Sequence, residues 1–502
     1  MRALLSVTDK TNMEWVAQEL EKMGVEIVST GGTLTVLRDY GIKAIDIEKV
    51  TDFPEILNGR VKTLSPMIHG GILYRRDIKD DVETVEKYNI NGIDIVIVNL
   101  YDFENALKTN NEKNIIENID IGGPTLIRAA AKNFKDVLVV TEPGDYEILI
   151  ENLKNKNCDY EFRKYLAAKA FSRTAYYDSI ISRYFQDQFE EENFKTKTIG
   201  LKKISNLRYG ENPSQRAFLY RDEYVNSLLS DIELLHGKEM SFNNYNDLNA
   251  AIELAEELGE NSAVALKHST PCGAGIGENV YDAFFKAYDS DKVSIFGGIV
   301  AINGIVDKDT AVLMSEIFLE IIAASDFTEE ALEILERKKN VRIIKVDYSK
   351  EKSQKDIKYL NGVVLIQERD TAEGLYNVVT EKKPTEKELS DMKFAMSVCK
   401  YTKSNAIVVA KNGKTLGIGG GQTSRIWALQ NIKNNYTDVD FNNAVLASDA
   451  FFPFDDCVTL ADEMGISAII QPGGSKRDKD SIDKCNEKDI AMVFTGQRHF
   501  RH

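Results

Sequence analysis

At 502 residues the chain is long enough for about three domains with full cores. It carries 63 Lys and Arg against 79 Asp and Glu, a formal charge of −16, so no general basic field exists to hold nucleic acid and an anionic ligand must be met by local Arg and Lys. Its five cysteines are scattered and odd in number, which argues against a disulfide framework and for a cytoplasmic compartment; no apolar run approaches the ~20 residues of a membrane span, and the opening residues lack the apolar core of a signal peptide.

Ala3–Val7 reads as a buried strand, and Thr8-Asp9-Lys10-Thr11 predicts the cap of a helix to about Met23. A second strand, Val25–Ser29, runs into Thr30-Gly31-Gly32-Thr33 and another helix to Tyr40. Amides exposed at such a junction can cradle an anion, although two glycines also make a plain turn. Neither a dinucleotide fingerprint nor a nucleotide-triphosphatase loop is present. Ile93–Leu100 is nearly all apolar, as in a parallel sheet covered on both faces, and it sets Asn99 and Tyr101 at a carboxyl edge, where open α/β sheets bind ligands. Arg60-Val61-Lys62-Thr63 and Asp120-Ile121-Gly122-Gly123 are polar loops of the same kind. The second leads into a helical stretch with Arg128 and Lys132 one turn apart, commonly a solvated pair, which the Gly-Gly turn and Asp120 make a candidate anion site. The alternation predicts a doubly wound α/β sheet over 1–190, then a linker at 191–200 following the charged stretch from Gln186.

Beyond the linker, Arg208-Tyr209 stands in a turn-rich loop, Arg suiting a phosphate and Tyr a planar ring. Ser241 opens a long helix to about Leu258. An apolar run then ends on Lys267-His268 before Ser269-Thr270-Pro271-Cys272-Gly273. At a strand's end both side chains can reach one cleft, where a His can take a proton and a desolvated Lys can stabilise negative charge; together they suit transfer of a carbonyl group. The bland reading is a surface Lys beside a half-buried His. Phe296-Gly297-Gly298 permits close backbone approach, though strand glycines are more often bulges, and Glu320 precedes another apolar run. A charged stretch at Ser349–Lys358 and the Pro384 region divide this half at about 375. Thr385 and Glu388 form a capping box for a helix leading to Asn405, and a glycine-dense run ends on Arg425. Both parts run helix, strand, glycine-rich segment, which suggests a diverged duplication without a repeat strong enough to establish one. His268 with Pro271-Cys272 has a zinc-deaminase look, but Thr270 and Gly275 stand where Glu and the second Cys are needed, so no zinc site is expected.

These segments, with Ser6–Thr11, Gly59–Leu64, Lys132-Asn133, Gly210–Pro213, Ser404-Asn405-Ala406, Gln422 and Asp449–Phe454, resemble nearly end to end the bifunctional AICAR transformylase/IMP cyclohydrolase family of purine biosynthesis. The resemblance implies a methylglyoxal-synthase-like domain at 1–190 that closes the purine ring. It implies two cytidine-deaminase-like subdomains, at 201–375 and 376–502, that transfer a formyl group from 10-formyltetrahydrofolate without a metal. It implies Lys267, His268 and Asn405 as catalytic for transfer, with Arg208, Tyr209, Gly297, Glu320, Arg425, Phe451 and Arg498 on AICAR and Ile426, Asp456, Ser475 and Lys476 on the folate side. For ring closure it implies Lys132 as proton shuttle, helped by Tyr101 and Asp120. Thr8, Asp9, Lys10, Thr30, Gly31, Gly32, Thr33, Arg60, Val61, Lys62, Thr63, Asn99 and Ile121 would hold the nucleotide. Its partners would be AICAR, FAICAR, folate and a second copy in a homodimer sharing transformylase sites, with no nucleic acid or membrane.

The chain departs from the family's usual residues at Ser65, Asp102, Ser214, Thr270 and Val363. Ser214 and Thr270 lie in the AICAR half. A cyclohydrolase with weak or different-donor formyl transfer, and a regulatory protein sensing a phosphorylated nucleotide, are therefore the rival expectations.

Overall fold

The computed structural model describes residues 1–190, 193–350, 355–372 and 374–502. Glu191 and Glu192 of the expected linker, and residues 351–354 of the charged stretch, lie outside the described residues. The chain divides into two compact units, Met1–Lys202 with Asp222–Tyr224, and Lys203–Arg221 with Val225–His502.

The first unit is built on five parallel strands, β1 (Arg2–Ser6), β2 (Glu26–Ser29), β3 (Ala44–Asp46), β4 (Ile95–Val98) and β5 (Leu138–Val140), in the order β3-β2-β1-β4-β5. All four residues of β4 are buried, because helices cover both faces of the sheet. The chain winds outward from β1 in one direction and returns to β4 on the other side, so a crevice opens beyond the carboxyl ends of β1 and β4. The first helix departs from expectation. It starts at Met13, behind Asn12 at φ 55° and without a side-chain cap. Asp9 instead accepts from the Thr11 amide at 2.9 Å, which folds residues 8–11 into a tight loop at the sheet edge. Two departures from the family pattern are helix caps: Ser65 accepts from the Met67 amide at 3.2 Å and Asp102 from the Asn105 amide at 3.0 Å.

The second unit carries two exposed ribbons, β6 (Lys202–Leu207, all but its first residue in this unit) with β7 (Ala217–Arg221), and β14 (Lys355–Leu360) with β15 (Val363–Glu368). Between and after them run β8 (Glu233–His236), β9 (Ser262–Lys267), β10 (Thr270–Ile276), β11 (Ile299–Val306), β12 (Ile321–Phe327), β13 (Arg342–Lys345), β16 (Asn377–Val378), β17 (Ile407–Lys411), β18 (Lys414–Gly419), β19 (Val445–Ser448), β20 (Ala468–Gln471) and β21 (Ala491–Phe494). These form one mixed sheet in the order β16-β21-β20-β19-β17-β18-β10-β9-β11-β12-β13-β8. Period-two alternation sorts its side chains. Val264, Leu266, Val408 and Val445 share one face with the helices Phe242–Leu258 and Glu386–Lys400, whereas Ala263, Ala265, Val300 and Ile302 pack on the other. Each half repeats helix, hairpin, helix, strand, helix, strand, helix, strand, and the halves meet where β10 and β18 run antiparallel. The duplication that sequence could only suggest is therefore present in the order of elements. No helix among the described residues is long and apolar enough to cross a membrane.

Candidate active sites

A cleft of about 560 Å³ lies at the carboxyl edge of the first unit's sheet, bounded by the ends of β1 and β4. Two helices, Gly31–Asp39 and Gly122–Lys132, begin at it; the first amides of the former have no partner within their helix, while the Gly122 and Gly123 amides of the latter are turned to Asp120. Thr30 and Thr33 are buried and tied to β1: Thr30 Oγ1 lies 2.8 Å from Ser6 Oγ, and Thr33 Oγ1 donates to the Val7 carbonyl at 3.0 Å. Asn99 sews the opposite loop in place, accepting from the Thr8 and Asp9 amides at 2.5 and 3.0 Å and donating to the Asp9 carbonyl at 2.9 Å. These bonds fix the loop that carries Thr8 and Lys10, and Asn99 itself lines the cleft beside them.

Between the two helix starts runs the Arg60–Thr63 loop. Lys62 is half-buried, its Nζ 3.7 Å from where a Cβ on Gly31 would stand, and Thr63 is buried with its hydroxyl against Gly122. Val61 is half-buried beside them, and Arg60 is exposed and ion-paired with Glu117. Asp120 accepts from the Gly123 amide at 2.8 Å, and its own amide donates to the Tyr177 hydroxyl at 2.9 Å. Burial pushes the Asp120 carboxyl above its ordinary range, against the pull of the Gly123, Tyr101 and Gly122 amides and the charge of Lys62. Burial likewise raises the Tyr101 phenol, with Asp120 and Glu55 adding to it. Ile121 is exposed at the rim. Lys132 is placed elsewhere: it ends the eleven-residue helix whose start meets the cleft, is exposed, and stands about 15 Å along the axis from that start. Arg128, one turn before it, lies over the Phe171 ring.

In the second unit the antiparallel pairing of β9 with β11 sets the end of β9 beside the starts of β11, β12 and β13. Lys267 Nζ donates to the Phe296 carbonyl at 3.0 Å; His268 is exposed in the turn that follows. Gly297, at φ 72°, donates to the Phe318 carbonyl at 2.7 Å. Glu320 accepts from Asn244 at 3.0 Å. Arg342, which the sequence reading missed, sits near Glu320 and Tyr209; burial lowers its pKa while those two groups oppose the change. The signal available was a basic residue opening the short apolar strand Arg342–Lys345. Arg208 is exposed, its guanidinium 5.5 Å from the Tyr209 ring.

The other set lies around the carboxyl end of β19. Arg425 is nine-tenths buried, and its guanidinium donates to Asn405 Oδ1 at 2.8 Å, Asp449 Oδ1 at 3.0 Å and the Phe451 carbonyl at 2.9 Å. Asn405 also donates to the Gln422 carbonyl at 2.8 Å. Phe451 and Arg498 are exposed nearby in the chain fold, Arg498 stacking over Phe500 at 4.4 Å. Ile426 is half-buried; Asp456 starts a helix; Ser475 accepts from the Arg477 amide at 3.1 Å, and Lys476 is exposed. Sheet order puts Lys267-His268 and Asn405 at the same edge but three strand spacings apart, about 14 Å. One chain thus presents two partial sets.

A family model for the AICARFT/IMPCHase bienzyme matches residues 130–434, and one for the MGS-like domain matches residues 12–125. The chain is 53% identical over 508 residues to the bifunctional purine biosynthesis protein PurH of Clostridioides difficile (strain 630), covering 100% of this chain and 99% of the relative. The chain belongs to the AICARFT/IMPCHase bienzyme family. The proteins of the same name from Caldicellulosiruptor saccharolyticus and Aquifex aeolicus are 50% and 48% identical, with coverage of 100% of this chain and 99% and 100% of theirs. Membership in the AICARFT/IMPCHase family carries both activities, formyl transfer to AICAR and closure of FAICAR to IMP. The single-activity and regulatory readings find no support among these relatives. The methylglyoxal-synthase-like and mixed-sheet architecture also agrees with what the resemblance implied.

Proposed function

We propose that the first unit's cleft performs ring closure through Asp120, Tyr101 and Lys62. The observation that carries this is Asp120: a half-buried carboxyl with a raised pKa, seated on the helix amides of Gly122 and Gly123 and lining the cleft with Tyr101 and Lys62. In the reaction the carboxamide nitrogen of FAICAR attacks its formyl carbon and loses one proton, the formamido nitrogen loses the other as the ring C=N bond forms, and the formyl oxygen leaves with both as water. Asp120 and Tyr101 suit the proton transfers, while the Lys62 ammonium suits the negative charge that develops on the oxygen. Holding both groups of one molecule in attack geometry lowers the barrier further. The Gly31–Gly32 amides, with Thr8, Lys10 and Arg60 around them, suit the nucleotide phosphate.

For formyl transfer, His268 takes the proton of the AICAR amine while Lys267 and Asn405 steady the formyl oxygen and the departing nitrogen of 10-formyltetrahydrofolate. The Glu320, Arg342 and Tyr209 group flanks the substrate. Completion of this site requires a second copy of the chain in a homodimer. What supports this is the 14 Å gap between the two partial sets, together with β14–β15, whose Ile357, Tyr359, Val364 and Ile366 share one face and are all exposed. A two-stranded ribbon with such a face needs a partner surface. Action in the cytoplasm follows from free thiols and small soluble substrates. The test is one incubation with AICAR and 10-formyltetrahydrofolate, following tetrahydrofolate, FAICAR and IMP separately. Equal tetrahydrofolate and IMP is the expected result; no turnover, with supplied FAICAR still closed to IMP, overturns the donor.

A further inference from the structure

The hairpin of β9 and β10 closes in two residues, with Lys267 paired to Thr270 across it. Both turn residues, His268 and Ser269, stand at φ 55°. Two successive left-handed residues make the type I′ turn, for which Asn-Gly is the ordinary sequence because L side chains are strained there. The other half of the same unit supplies the comparison. Its equivalent hairpin pairs Lys411 with Lys414 and fills the turn with Asn412 at φ 58° and Gly413 at φ 66°. The repeat that has Asn-Gly carries no assigned chemistry at that turn; the repeat that has His-Ser carries the proposed base. Strain retained at one of two duplicated positions points to a role for the side chains it displays.

A strained turn holds its shape only when its surroundings hold it. Lys267 is tethered to the Phe296 carbonyl on one side. On the other, Ser269 Oγ donates to Asp247 Oδ1 at 2.9 Å. Asp247 lies on the helix Phe242–Leu258, whose first turn is closed by the Ser241–Asn244 capping box and whose Asn244 also holds Glu320. One rigid element thus ties the turn and the Glu320 carboxylate to a common frame.

We propose that Asp247 is a positioning residue for formyl transfer, holding the His268-Ser269 turn through the Ser269 hydroxyl so that the imidazole projects toward the substrate amine. This rests on the reading of His268 as the base. Freed from Asp247, the turn relaxes away from two left-handed residues and displaces the imidazole; a displacement of about 1 Å is enough to cost on the order of 100-fold in rate.

The test compares Asp247→Ala, Asp247→Asn, Ser269→Gly and His268→Ala in the full chain. Formyl transfer is measured as kcat and KM for AICAR, with closure of supplied FAICAR and thermal unfolding followed in parallel. Asp247→Ala is expected to lower kcat about 10- to 100-fold with KM changed less than about 3-fold, and Asp247→Asn, whose amide oxygen still accepts from Ser269, to recover most of the loss. Ser269→Gly suits the turn better and removes the hydroxyl, so it should melt no lower than the parent yet lose kcat as Asp247→Ala does. Combining the two should cost no more than either alone, since both break one link. Unchanged kcat in Asp247→Ala and Ser269→Gly, with His268→Ala inactive, overturns the proposal. Equal loss in Asp247→Asn and Asp247→Ala overturns it as well. Full activity in His268→Ala overturns instead the reading on which it rests. Should Asp247→Ala fail to fold, Ser269→Gly decides alone.

Discussion

Arg425 is hydrogen-bonded to Asn405 rather than turned toward open solvent: its Nη2 donates to Asn405 Oδ1 at 2.8 Å and to the fully buried Asp449 at 3.0 Å. A planar guanidinium can bridge two oxygens in this way and an ammonium cannot reproduce the geometry. Arg425 is therefore placed to orient the Asn405 amide. Arg425→Lys should lower kcat for formyl transfer about 10-fold or more while leaving KM for AICAR nearly unchanged, as for an interaction realised in the transition state. A rise in KM with kcat intact would instead make Arg425 a substrate ligand. Asp449→Ala leaves the buried guanidinium without its counter-charge and should destabilise the second unit by about 3–5 kcal/mol, measurable by denaturant unfolding.

Asp120 links activity to stability. Its folded pKa is raised by burial above the ordinary 3.8, so between those two values the folded chain binds more protons than the unfolded one, and stability falls as pH rises through that window. Asp120→Asn has no charge to bury. It should raise the melting temperature of the first unit at neutral pH, give no such gain below about pH 3.8, and slow FAICAR closure by about 10²- to 10⁴-fold. Melting curves at the two pH values with a closure assay check all three.

Lys62 and Lys132 can be told apart by the same assay. Lys62→Ala removes the ammonium beside Gly31 and should slow closure about 100-fold. Lys132→Ala should slow it less, since Lys132 ends the helix on which Asp120 begins to pack. A larger loss in Lys132→Ala would bring that lysine to a cleft from outside its own chain.

The β14–β15 ribbon gives a test of assembly. Val364→Glu places a charge in the face formed by Ile357, Tyr359, Val364 and Ile366. Sedimentation over a range of concentrations should show the dimer weakened. Formyl transfer should fall with it, and closure of supplied FAICAR should persist, because the cleft for closure lies within the first unit.

Much of this molecule was legible in the chain because local rules depend on neighbours in sequence. The apolar run at Ile93–Leu100 announced a covered parallel strand, Thr385 with Glu388 marked a helix start, and Gly31-Gly32 and Gly122-Gly123 marked the helix starts that border the cleft. The motifs around Lys267-His268 and Asp449–Phe454 identified the family. What the chain alone left open was convergence. Asn99 and Arg425 have the chemistry of ligand-binding residues, and the tertiary structure also commits both to protein groups, Asn99 to the Thr8 and Asp9 backbone and Arg425 to Asn405, Asp449 and the Phe451 carbonyl. Lys132 has a catalytic lysine's chemistry, yet the cleft receives Lys62. Arg342 gave little sign of itself until β12 and β13 lay side by side. The reason is physical: hydrophobic period and turn chemistry act over a few residues and so are written in order along the chain. Which polar side chains meet depends on sheet order and register, set by long-range pairings that many local patterns would equally allow.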